Sequence, residues 1–151
     1  MRRRLFIQTL AAVATTSALP LLAQTAKPQV EVWKDASCGC CKDWIAHMQS
    51  NGFSIKAHDS GNTAARARLG LPQKLGSCHT ALVGGYVVEG HVPASDVKRL
   101  LKERPKALGL AVPGMPVGSP GMDGPEYGGR KDRYEVLLVQ ADGSTRTFSR
   151  Y

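Results

Sequence analysis

Residues 29–44, QVEVWKDASCGCCKDW, hold an alternating apolar run, three cysteines in four positions, and the opening of a helix. The β-branched, partly alternating start predicts a strand over 29–34. From Cys41 onward, Trp44, Ile45 and Met48 share one side of a predicted helix that stops at Asn51-Gly52. Cys38, Cys40 and Cys41 therefore sit at a strand-to-helix corner. Unpaired backbone N–H groups and the helix dipole stabilise a thiolate there, so Cys38 is expected to lose its proton more readily than a free cysteine. A thiolate can attack a disulfide or bind a metal.

Further along the chain, residues 53–58 read as a second strand, and residues 62–69 as a short helix ended by Gly70 and Pro72. Residues 78–83 and 86–89, joined by Gly84-Gly85, predict a hairpin. Ser95 is placed to cap a helix whose buried stripe is Val97, Leu100 and Leu101. The order is βαβαββα. Beyond Pro105 the texture changes, and residues 111–129, with Pro113, Pro116, Pro120, Pro125 and many glycines, are too rich in breakers for helix or strand. Residues 134–139 and 145–148, on either side of Asp142-Gly143, close the chain as a hairpin. There is no internal repeat.

The N-terminus, MRRRLFIQTLAAVATTSALPLLAQ, places Arg2, Arg3 and Arg4 before a mostly apolar, uncharged stretch. That layout predicts an export signal over residues 1–23, removed on maturation, and Arg3-Arg4-Leu5-Phe6 resembles the twin-arginine pattern. Polar residues and Pro20 weaken this stretch as a membrane span, so no stable insertion is expected after its removal. Without it the formal charge falls from +8 to +5 through the loss of three arginines. The remaining length suits one domain that buries a core without needing disulfides to replace it. The basic residues neither cluster on one face nor interleave with aromatics, which argues against nucleic-acid binding.

The fourth cysteine, Cys78, lies just before the predicted third strand. The strand, Cys38-Gly39-Cys40-Cys41-Lys42 and the helix after it together resemble the active-site corner of thioredoxin-like proteins, whose fold carries the same βαβ…ββα order. If that fold is right, Cys78 comes beside the other three cysteines. Four sulfurs in one pocket suit a soft ion, above all Cu(I), and zinc less distinctively. Two alternatives stand beside the metal site. Cys38 and Cys41 form a C-x-x-C pair that could exchange disulfides. Two structural disulfides would need one tight local bridge and one bridge to Cys78.

Several separated motifs agree on a family. Cys38-Gly39-Cys40-Cys41, Ser77-Cys78-His79-Thr80-Ala81, Glu89-Gly90-His91-Val92-Pro93-Ala94, and Pro113-Gly114-Met115-Pro116 through Met122 resemble the CopG-type copper-resistance proteins of Gram-negative bacteria. The resemblance spans about residues 30–127. It implies an α/β fold with a thioredoxin-like domain over 29–106, and a Pro/Gly-rich extension with its terminal β-hairpin over 107–151 packed on the same domain. It further implies a periplasmic protein that binds several copper ions per chain and has a role in copper redox chemistry, which leaves open whether the protein is a copper-dependent oxidoreductase. Carried over by position, Cys38, Cys40, Cys41 and Cys78 would be the sulfur ligands. Met115 and Met122 would contribute from the extension as soft thioether donors. His79 and His91 could ligate or tune the site, whereas His47 and His58 are read as non-ligands. The expected partners are copper ions, with a copper efflux system or an electron donor as the protein classes that could exchange with it; a monomer is expected.

Overall fold

The computed structural model describes residues 26–151, so the expected export signal over residues 1–23 lies outside the described residues. Strand β1 (Gln29–Lys34) alternates as its sequence requires, turning Val30, Val32 and Lys34 inward. Helix α1 (Gly39–Ser50) buries Cys41, Trp44 and Met48, at the spacing of one helical face. It starts at Gly39 instead of Cys41, which makes Cys38 its N-cap residue. Strand β2 (Ser54–His58), helix α2 (Thr63–Arg68), strands β3 (His79–Val83) and β4 (Tyr86–Glu89) and helix α3 (Ala94–Glu103) complete the expected order.

Two features of this region depart from expectation. Ser95 is exposed inside the first turn of α3 and does not cap it; Pro93, extended, stands at the N-cap position. The N–H of Ala94 is instead accepted by Nε2 of His47, at 3.1 Å, which ties α1 to the start of α3. The second departure is β5 (Gly109–Ala111), three residues that the breaker-rich texture concealed. It pairs parallel to β4 and antiparallel to β6 (Glu135–Val139). Gly109 is required there, because a Cβ would run into the backbone of Val87. Strand β7 (Thr145–Arg150) pairs antiparallel to β6, giving the expected terminal hairpin.

All seven strands form one mixed sheet in the order β2-β1-β3-β4-β5-β6-β7. One face carries the main core, where Trp44 and Met48 of α1 and Val97 and Leu100 of α3 pack on Val32, Val88, Leu110 and Leu138. The other face is smaller, with Leu71 and Leu75 covering Val87, Ala111 and Val139. No helix among the described residues is long and apolar enough to cross a membrane.

The strand directions decide where the chemistry sits. Strand β3 runs antiparallel to β1 with Lys34 opposite His79, so the cysteine loop leaving β1 lies beside Cys78, which leads into β3. Strand β4 ends at the same edge, with Thr80 opposite Glu89, and delivers Gly90-His91 there. Strand β5 runs parallel to β4, so the Pro/Gly-rich segment departs from that edge as well. Four segments remote in sequence meet at one end of the sheet.

Because His47 accepts the Ala94 N–H as a neutral base, it makes acid stability testable. Burial lowers its pKa from the ordinary 6.5. On acidification the unfolded chain takes up the proton first, so the contribution of His47 is complete above about pH 6.5 and is lost as pH falls toward its lowered folded value. Replacing His47 by Ala is expected to cost about 1 kcal/mol at pH 7 and to flatten the fall in stability as pH drops below about 6.5. Urea denaturation across that pH range measures both effects.

Candidate metal centre

The four cysteines converge: one sulfur from each of Cys38, Cys40, Cys41 and Cys78 lies within 4.8 Å of all the others. Cys38 and Cys41 are joined in a disulfide, while Cys40 and Cys78 are free. The Cys40 sulfur stands 3.6 Å from that of Cys38 and 3.8 Å from that of Cys78. This arrangement overturns the reading of two structural disulfides, since no bridge reaches Cys78. Cys38 is half-buried and Cys41 is fully buried.

A second group of donors shares Cys78, bringing it within 4.8 Å of His79 and His91. Both imidazoles are fully buried. Nδ1 of His91 lies 2.8 Å from the Pro120 carbonyl, to which it can only donate. That bond leaves Nε2 as the unprotonated nitrogen, 3.1 Å from the Cys78 sulfur. An N–H anchored to a backbone carbonyl, with the other nitrogen aimed at a soft donor, is the usual support of a metal-ligating histidine. Nδ1 of His79 is 3.4 Å from the same sulfur, and its Nε2 is the buried side-chain polar atom without a hydrogen-bond partner among the described residues. Trp44 packs against His79 with ring centroids 4.4 Å apart and donates to the Val92 carbonyl at 2.9 Å.

The electrostatics favour neutral bases and a protonated thiol in the metal-free chain. Burial pushes the His79 pKa down to about 3, with the neighbouring His91 adding to the shift, and burial lowers His91 as well. Burial also raises the Cys78 thiol to about 12, reinforced by Cys40 beside it. A thiophilic cation would displace that proton on binding.

A buried polar network holds the Cys78 turn. Arg66 and Glu89, 3% and 0% exposed, form an ion pair at 2.8 Å. Glu89 also accepts from the Ser77 N–H and the Thr80 hydroxyl, each at 2.6 Å. Arg66 donates to the Ser77 carbonyl at 2.6 Å, and Asn62 donates to the same oxygen at 3.1 Å. Both backbone groups of the residue before Cys78 are thereby fixed. Burial raises the Glu89 pKa, although Thr80, Ser77 and Arg66 all pull it down. The sequence reading missed this network, because Arg66 looks like surface charge in an Ala-Arg-Ala-Arg helix and its partner lies 23 residues away.

The two methionines of the extension differ in placement. Met115 is 53% exposed and lines a cavity of about 380 Å³ together with Cys78, Ser77 and Arg66. Met122 is buried, and its sulfur accepts from the Tyr127 hydroxyl at 3.3 Å. Tyr127 belongs to a short 3-10 turn at Pro125–Tyr127, a piece of helix within the segment predicted to have none. His47 and His58 lie apart from the donor groups: His47 serves α3, while His58 pairs with Glu31 at 2.7 Å and stacks on Trp33.

Gly121 lets the extension close on the cysteine helix. Its φ is +86°, and a Cβ there would come within 2.6 Å of the Cys40 carbonyl and 2.8 Å of the Trp44 nitrogen. Gly121→Ala must therefore move the loop, and with it the Pro120 carbonyl that orients His91. Loss of such support to a ligand typically weakens metal binding about 10–100-fold, and at least 10-fold is expected here. Titration against a Cu(I) chelator reads the change.

The family described as protein of unknown function, DUF411, matches residues 75–122, which include Cys78, both buried histidines and the Met115–Met122 loop. Two solved structures are similar to this chain over most of its length. "Copper resistance protein copG, Form 1" is 46% identical, with a TM-score of 0.76, over 83% of this chain and 98% of its own. Form 2 is 45% identical, with the same TM-score and the same coverage of both chains. No curated protein sequence matches.

Proposed function

Because this chain belongs to the CopG family of copper-resistance proteins, we propose that it is an exported, periplasmic protein whose cargo is copper, held as a thiolate-bridged group of ions. Cys38, Cys40, Cys41 and Cys78 are its sulfur ligands once the Cys38–Cys41 bridge is reduced. His79 and His91 complete the site from the sheet side, and Met115 and Met122 supply soft donors from the extension. The observation that carries this reading is the convergence of four sulfurs within 4.8 Å at one end of the sheet. Thiolates that close bridge soft ions, and Cu(I) is the ion that thiolate and thioether donors select. Sequestration in this form serves copper resistance. Cycling between Cu(I) and Cu(II) moves one electron per ion and needs an electron-exchanging partner, whereas release of the cargo needs an efflux partner. In this reading residues 29–106 form a thioredoxin-like unit, residues 107–151 extend it, and the chain is a monomer.

One observation favours a second reading. Cys38 and Cys41 are already bridged, with the N-terminal sulfur at the mouth of the helix and the C-terminal one buried, as a thiol-disulfide oxidoreductase would require. Anaerobic loading of the reduced chain with Cu(I) in the presence of a competing chelator separates the two. Several retained ions per chain, with loss of all four titratable thiols, supports copper binding. No retained copper, with rapid reduction of the bridge by a dithiol and exchange with a disulfide substrate, supports the oxidoreductase.

A further inference from the structure

We infer that the site has two copper capacities set by the Cys38–Cys41 bond: a three-donor position on Cys78, His79 and His91 that holds one ion while that bond is intact, and the full multi-ion site that opens when it is reduced. This rests on the copper-binding reading above and adds its regulation.

Two of the four sulfurs are committed to each other in this structure, which removes them as thiolate ligands. The remaining donors are not scattered. The Cys78 sulfur, free, faces Nε2 of His91 at 3.1 Å and Nδ1 of His79 at 3.4 Å. Two ligands of one tetrahedral ion, at metal–sulfur and metal–nitrogen distances of about 2.3 and 2.0 Å, stand roughly 3.5 Å apart, so these separations need little adjustment. His91 is fixed by the Pro120 carbonyl, and His79, held between the Trp44 and His91 rings, turns Nδ1 to the sulfur. Neither support involves Cys38 or Cys41. The free Cys40 sulfur, 3.8 Å from Cys78, can supply a fourth donor. A thiolate with imidazoles is a donor set that copper accepts.

Opening the larger site requires a reductant, which we assign to the class of dithiols. The Cys38–Cys41 S–S bond breaks, an S–S bond forms in the dithiol, and two electrons and two protons pass to Cys38 and Cys41 as two thiols. Copper then displaces the thiol protons. The redox state of one bond thus sets how many ions the chain carries, and a chain with the bond intact is not empty.

Ag(I) is the probe, since it shares the preference for soft donors and does not reduce a disulfide. The air-oxidised chain, with two titratable thiols, is expected to retain one Ag(I) after gel filtration, and the dithiol-reduced chain several. The double variant Cys38→Ser/Cys41→Ser should hold one ion with or without reductant. His91→Ala should remove the ion from the oxidised chain while the reduced variant still binds several, which also reports that it folds; His79→Gln, closer in volume, should weaken the single ion at least 10-fold. An oxidised chain that binds none, or one that keeps its ion after His91→Ala, overturns the two-capacity inference. If the reduced wild-type chain also binds none, the copper reading itself fails.

Discussion

Cys78→Ser is expected to cut the copper content of the reduced chain from several ions to one or none, with the far-ultraviolet circular dichroism unchanged. Cys78 alone belongs to both donor groups, facing Cys40 on one side and the two histidines on the other. The other three cysteines cluster at the N-terminal end of one helix and cannot replace a ligand supplied from the turn before β3. Outer supports of a metal site are worth about 10–100-fold in affinity, and removal of a shared ligand should exceed 100-fold. Serine is close in size at a half-buried position, so the fold should tolerate it. Elemental analysis with a thiol count reads the result, and a variant that retained full copper would remove Cys78 from the site.

The second large effect is on stability. Glu89→Ala leaves the buried Arg66 guanidinium without its carboxylate, and the Ser77 N–H and Thr80 hydroxyl without their acceptor. Breaking a buried pair from one side costs about 3–5 kcal/mol, a large part of the roughly 5–15 kcal/mol that holds a domain of this size. The thermal midpoint should fall by roughly 10–20 °C. The double variant Arg66→Met/Glu89→Leu removes both charges and should recover most of that stability. It should not recover copper affinity, because nothing then fixes the Ser77 backbone that presents Cys78. Calorimetry and a copper titration on the same pair of variants separate the two roles; full recovery of both would mean that the network only stabilises.

Much of this was legible because the signals are local. The alternation of Val30 and Val32, the Trp44–Met48 spacing and the Gly84-Gly85 turn each report a neighbour a few residues away, and the elements stand where those signals put them. The convergence of Cys78 with the first three cysteines could be anticipated only through a likeness to a fold, since it depends on β3 running antiparallel to β1. What stayed hidden was non-local or too short. Strand β5 has three residues, with no room for periodicity to show. Ser95 looked like a cap because capping preference is local, but a histidine from α1 took the Ala94 N–H. Glu89, at the end of an apolar strand, carries no local sign of Arg66, which lies 23 residues away in sequence and packs against it.

The most direct test is X-ray absorption at the copper edge on the reduced chain loaded with Cu(I). Sulfur as the dominant neighbour, with an additional copper–copper distance, is the result predicted for thiolate-bridged ions on Cys38, Cys40, Cys41 and Cys78. A shell of nitrogen and oxygen alone, with no copper–copper distance, would contradict it.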